Sequence, residues 1–158
     1  MKHRAAAVLI RRSDETPLSI LLDILDNLYN KGFGALVERS LQKRSDPELA
    51  QEMIARLISP DDYIREVACT VLGHSDNLPA TAHLLRMIDD PHPRVRRAAV
   101  FAVGTLKDCD AIPALEQQLS KRENDDINVV IALEWTLRDL RLLEETETDS
   151  TDGFAGKN

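Results

Sequence analysis

Four histidines, two cysteines and two recurring Asp/Arg sets are the residues of this chain best suited to chemistry. His3, His74, His83 and His92 are followed by Arg, Ser, Leu and Pro, never by Glu, and no two of them share i,i+4 spacing. No pair of imidazoles is therefore offered to one metal from one helical face. There is no glycine-rich phosphate loop, and no Ser/His/Asp or Cys/His set in a recognisable context. The expectation is no catalytic residue, no metal and no cofactor. Cys69 falls inside an apolar helical pattern and reads as an inert thiol, while Cys109 falls in a turn. Two thiols without a secretory context read as reduced and cytoplasmic.

The arginines recur with a grammar. Asp61–Gly73, DDYIREVACTVLG, and Asp90–Gly104, DPHPRVRRAAVFAVG, both place an Arg (Arg65, Arg96) after the first apolar residue, and both close on an apolar residue and Gly. With an Asp shortly before each Arg, the set reads either as a ladder of Asp–Arg hydrogen bonds between neighbouring turns or as an anion site. At 100° per residue, Val95, Ala98, Ala99, Ala102 and Val103 share one side of a helix, while Arg97 and Phe101 share the other. Carrying those two positions through the units gives one column of Arg39, Thr70, Phe101 and Trp135, and a second of Ala35, Glu66, Arg97 and Ile131. Aromatics opposite the core side, twice in register, are the kind of anchor that interfaces favour. The competing readings are that Phe101 and Trp135 pack on each other, or that the C-terminal tail covers them.

The elements that position these residues are helices. From Pro17 to Asn30 the apolar residues Leu18, Leu21, Leu22, Leu25 and Leu28 recur at spacings of three and four. A short helix follows with Phe33, Leu36, Val37 and Leu41. Asp46-Pro47-Glu48 predicts a capped start to a helix using Leu49, Met53, Ile54, Leu57 and Ile58. The next helix uses Ile64, Val67, Ala68, Val71 and Leu72, with Gly73 expected as a left-handed C-terminal cap. Pro79 is expected to open a helix carrying Leu84, Leu85 and Ile88, and Gly104 to close the one after it. Ile112, Leu115 and Leu119 mark another, and Val129, Ala132, Leu133, Leu137 and Leu140 the last. The units lie 31 residues apart from Ile64 to Val95 and 34 from Val95 to Val129, the extra residues falling in the charged link Lys121–Asp126. Such pairs are too small to bury an apolar face alone, and stacking gives them a core.

Bulk composition narrows the partners. The formal charge of −7 runs against nucleic acid, which is bound through clustered Lys/Arg that displace counterions. The apolar run Ala5–Ile10 is too short for a signal peptide or a membrane span, so no membrane insertion is expected. Residues 1–16 read as a basic segment, weakly ordered or an extra helix. Residues 17–143 read as the repeat region, with units at about 17–43, 47–74, 79–105 and 111–143. Residues 144–158 read as an acidic disordered tail, because one apolar aromatic (Phe154) cannot order them.

The pattern Asp90, Val95-Arg96, Ala98-Ala99 and Val103-Gly104, running on into Asp110-Ala111-Ile112-Pro113-Ala114-Leu115, resembles the HEAT-repeat family, in particular its short bacterial form, also seen in the bilin-lyase group. Ile64-Arg65 and Leu72-Gly73 repeat the match. The last unit departs from it, with Val130 and Arg138 where the family has Arg and Gly, and the first lacks the Val-Arg pair, as end caps do. The resemblance implies an all-α fold, a right-handed α-α superhelix of about four helix pairs whose second helices line the concave side. It implies a non-enzymatic, scaffold-like module, monomeric or weakly dimeric, that binds another protein or peptide segment. On the concave face the candidate residues are Arg39, Glu66, Thr70, Arg94, Arg97, Phe101, Ile131 and Trp135, with Glu134 nearby. Asp61, Arg65, Gly73, Asp90, Arg96 and Gly104 are the structural repeat positions. The alternatives that likeness brings are a bilin-lyase-like or phycobilisome-related factor, a regulatory module of a larger assembly such as a transporter, and a HEAT-type DNA-repair glycosylase. The glycosylase would need a basic channel, where Glu38, Glu66 and Glu134 interrupt the arginines. A metal-dependent hydroxylase built on such repeats uses His-Glu pairs, which this chain lacks.

Overall fold

The apolar periodicities fold as a stack of helices. The computed structural model describes residues 2–28, 32–75, 80–121 and 125–152, with side chains from 5 to 146 within those spans. Among them the order is α1 (Lys2–Arg11), α2 (Leu18–Leu28), α3 (Gly34–Gln42), α4 (Leu49–Arg56), α5 (Asp62–Gly73), α6 (Thr81–Met87), α7 (Pro93–Leu106), α8 (Ile112–Lys121) and α9 (Ile127–Asp152). A 3-10 turn, Cys109–Ala111, precedes α8, and no strand occurs among the described residues. Pro79 lies outside the described residues.

Four pairs, α2/α3, α4/α5, α6/α7 and α8/α9, each close on themselves, and they join mainly through their second helices: α5 packs on α3, α7 on α5, and α9 on α7. The chain is an all-helical α-α solenoid. One continuous core runs through it, from Leu21 and Leu25 past Val37, Met53, Val67 and Leu72 to Val95, Val103, Leu133 and Leu140. Each fully buried Leu or Val contributes about 1.5–3 kcal/mol, and in each pair part of that burial is supplied by the neighbouring pair, so the units are stable together. Helix α1 docks against α2 and α3 through Ala6 and Ile10, covering the first pair's open side. Ser40 Oγ on α3 donates to the Ile10 carbonyl at 3.4 Å.

The repeat signatures are explained by these contacts. Asp61 caps α5, its carboxylate accepting from the Tyr63 N–H at 2.9 Å. Asp90 accepts from the His92 N–H at 2.8 Å, Pro93 occupies the first turn of α7, and His92 itself is the N-cap. Asp46 does not cap α4, whose N-cap is Glu48 without a side-chain bond; Asp46 is held by Arg44 instead.

Four further expectations change. Gly73 is the last residue of α5 and is not left-handed; among the described glycines only Gly32 has positive φ. A Cβ at Gly73 would stand 2.6 Å from Ala102 Cα and 2.7 Å from Ala102 Cβ, so glycine is required by the close approach of α5 and α7. Gly104 likewise does not close α7, which runs to Leu106 and ends on Lys107 at φ 56; its missing side chain makes room for Thr136 of α9, 2.9 Å from a built Cβ. Ile58 is 88% exposed, because α4 ends at Arg56 and the turn points it outward. Finally, α9 continues through Glu144 to Asp152, where the composition reads as a tail. Glutamate is a good helix former and no Gly or Pro interrupts the helix before Gly153, so propagation costs little once the first turns are anchored.

Candidate functional site

The Asp and Arg side chains link successive pairs. Arg65 on α5 donates from Nε and Nη2 to the two oxygens of Asp90 at 2.7 and 3.0 Å, and from Nη1 to the Ser59 carbonyl at 2.8 Å. One unit further, Arg96 donates to both oxygens of Asp125, the Nε bond measuring 3.1 Å, and from Nη1 to the Asp90 carbonyl at 2.9 Å. Burial alone would raise the Asp90 pKa; the Arg65 hydrogen bonds and the His92 N–H outweigh it and hold the carboxyl below its ordinary range. With both members of each pair largely buried and engaged, these arginines are joints between repeats.

Asp125 was hidden from sequence reasoning by the longer link before α9. The signal was there: an Asp stands three to five residues ahead of Ile64, Val95 and Val129 alike. Arg44 was also missed. It reaches back to the Ser13 and Thr16 carbonyls at 2.5 and 2.7 Å and fastens the α1–α2 connection.

Arg39, Phe101 and Trp135 are exposed, Phe101 at 43% and Trp135 at 57%, and Thr70 is half-buried, its hydroxyl donating to the Glu66 carbonyl at 3.0 Å. In the second column Ala35 is exposed and Glu66, Arg97 and Ile131 are half-buried. Phe101 and Trp135 stand at equivalent positions on α7 and α9, which pack side by side. The described part of the tail does not fold back over them: α9 carries the chain on as helix for 17 residues past Trp135, about 25 Å at 1.5 Å per residue, and residues 153–158 lie outside the described residues.

The charges on this face are divided. Towards α5, Arg94 lies 3.6 Å from Asp62 and 3.7 Å from Glu66, and His92 lies 3.5 Å from Asp62. Half-burial, then the neighbouring Glu66 charge, raises the Glu38 carboxyl above its ordinary value, with His74 opposing. Glu134 is placed elsewhere than expected: it lines an open groove of about 530 Å³ between α8 and α9 with Glu116, Leu119, Ser120, Leu137 and Arg141. Arg141 closes one side of that groove by pairing with Glu116 at 2.5 Å.

The Cys69 thiol is fully buried and, chiefly by that burial, pushed up to about 12. Among the described residues no group of three or more His, Cys, Asp or Glu side chains is placed to hold a metal ion, and no helix is long and apolar enough to cross a membrane.

Helix pairs stacked through their second helices, with Asp–Arg joints and glycines at the crossings, define a protein of the helical-repeat class. The family model for HEAT repeats matches residues 50–134, more than half of the chain. The chain belongs to the HEAT-repeat family. It is thus a repeat scaffold, of a kind that generally mediates protein interactions. No curated protein matches it at a significant level.

Proposed function

We propose that this chain is a non-enzymatic adaptor that recognises a partner protein through its second helices, on the concave side of the solenoid. Phe101 and Trp135 are the apolar anchors, Arg94 and Arg97 select by charge, and Arg39, Glu66, Thr70 and Ile131 complete the face. The observation that carries the reading is the pair of aromatics left in water at equivalent positions of adjacent helices. The α7 positions that turn the other way, Val95, Ala99, Ala102 and Val103, are all buried. Burying exposed Trp and Phe against a partner releases roughly 25 cal/mol per Å² of apolar surface, and such residues dominate interface energies. The surface is built on packed helices and so is already formed, which lowers the ordering cost of binding.

Co-isolation tests this. Wild type and Phe101→Ser/Trp135→Ser are expected to have the same circular dichroism and melting temperature within about 2 °C, because exposed positions carry little stability. The serine variant is expected to lose the partners that wild type retains. Equal recovery by both forms would end the proposal.

A further inference from the structure

We infer that the segment taken by this face is acidic: an Asp/Glu-rich stretch of a partner protein presenting two apolar side chains about 10 Å apart, the spacing of adjacent packed helices. The inference rests on the binding role proposed above and adds the partner's chemistry.

Unused charge supplies the reason. The acids towards α5 are already engaged, Asp62 by Arg94 and His92, and Glu66 by Arg94. The cations beside the aromatics are less engaged. Arg97, one turn before Phe101, makes no ion pair or side-chain hydrogen bond among the described residues. Arg138, one turn after Trp135, is 69% exposed and reaches only its sequence neighbour Asp139 at 3.2 Å, both in solvent. Arg39, at the far end of the aromatic column, is exposed and likewise has no partner among the described residues. Asp126 lines a small recess with Arg97, but its carboxylate is occupied with the Asn128 N–H at 2.9 Å. The aromatics are therefore flanked by cations that a partner's carboxylates would complement, and desolvation by the apolar contact would strengthen those pairs.

Two occupants are excluded by geometry. The chain's own acidic run Glu144–Asp149 is carried away from the face by α9. A further helix stacked on the end pair would need the close crossing that Gly73 and Gly104 provide, and Arg138 stands at that position. Two apolar side chains about 10 Å apart on one side occur at i,i+7 of a helix, so a short helical segment suffices.

The test uses fluorescein-labelled synthetic helical peptides with two Leu or Phe at i,i+7, in an Asp/Glu background or a Lys/Arg background. Binding to the whole chain is followed by polarisation and by the emission of Trp135, the single tryptophan. Acidic peptides are expected to bind and shift Trp135 emission to the blue. Affinity is expected to fall at least about tenfold in Arg97→Glu/Arg138→Glu and by less in Arg97→Gln/Arg138→Gln, as complementary interface charges dictate. Circular dichroism checks that each variant is folded. Basic peptides binding equally well, charge reversal without effect, or no binding of the acidic set would each overturn the inference. Those outcomes leave the binding face itself standing, because its failure is read separately, as retention of native partners by the Phe101→Ser/Trp135→Ser variant.

Discussion

Gly73→Ala is expected to destabilise the chain by about 2 kcal/mol, lowering the melting temperature by roughly 4–8 °C. Helix propensity alone predicts the opposite sign, since alanine in a helix is favoured over glycine by about 1 kcal/mol. Packing decides. The added methyl would meet the Cα and Cβ of Ala102 at 2.6 and 2.7 Å, and backbone cannot swing aside as a side chain does. Helices α5 and α7 would have to separate, and the crossing lies within the continuous core. Gly104→Ala is the control. There the three nearest atoms all belong to the Thr136 side chain, its methyl at 2.9 Å, and none is backbone, so the expected loss is smaller, about 1 kcal/mol or less once propensity is counted. Thermal or denaturant unfolding of both variants checks the pair. Ala102→Gly added to Gly73→Ala is expected to recover part of the loss, as residues in direct contact couple. Equal tolerance at the two glycines would show that the α5–α7 crossing is looser than described.

Breaking the joint between repeats is expected to cost more. Asp90→Ala leaves the Arg65 guanidinium, 12% exposed, without its carboxylate, and removes the acceptor of the His92 N–H. Losing one partner of a buried pair costs about 3–5 kcal/mol; because Arg65 keeps the Ser59 carbonyl, about 3 kcal/mol is expected. The pH dependence fixes the sign of the charge contribution. A carboxyl held below its ordinary value in the fold stabilises fully above its unfolded pKa, near 4. That contribution is lost as pH falls through the lower folded value. Wild type is therefore expected to lose its advantage over Asp90→Asn as the solution is acidified below about pH 4. A difference between the two that does not change with acid would mean that the pair contributes through shape and not charge. Glu38 works in the other direction: its raised carboxyl disfavours the fold at neutral pH, and the effect is relieved as acid protonates it.

These two sites also show where sequence was sufficient and where it was not. The helix pairs and their 31-residue offset were legible because apolar spacing and the Asp, Arg and Gly positions recur together. The role of the glycines was not. A glycine in the last turn of an apolar helix suits a left-handed cap or a close helix crossing, and only the packed neighbour decides between them. Arg138 in the last unit held the clue: no described helix crosses α9 at that position, and Arg138 stands exposed there. Asp125 escaped notice because extra residues in its link broke the register. The extent of α9 escaped because composition measures how much surface a segment buries, not whether a helix already begun will propagate. Of the site, Arg97, Phe101 and Trp135 could be picked out by subtraction, as residues that stacking does not require. Whether their side chains stay in water depends on the course of α9, which periodicity does not fix.

The binding role of the α7–α9 face is the central claim, and site-specific photo-cross-linking in the cells that express the chain tests it most directly. A photoreactive residue is placed at position 101, at 135, and at Ile58, which is 88% exposed at the end of α4. Positions 101 and 135 are expected to give an adduct of the same mass, and position 58 is not. No adduct at either aromatic position, or the same adducts at all three, would contradict the claim.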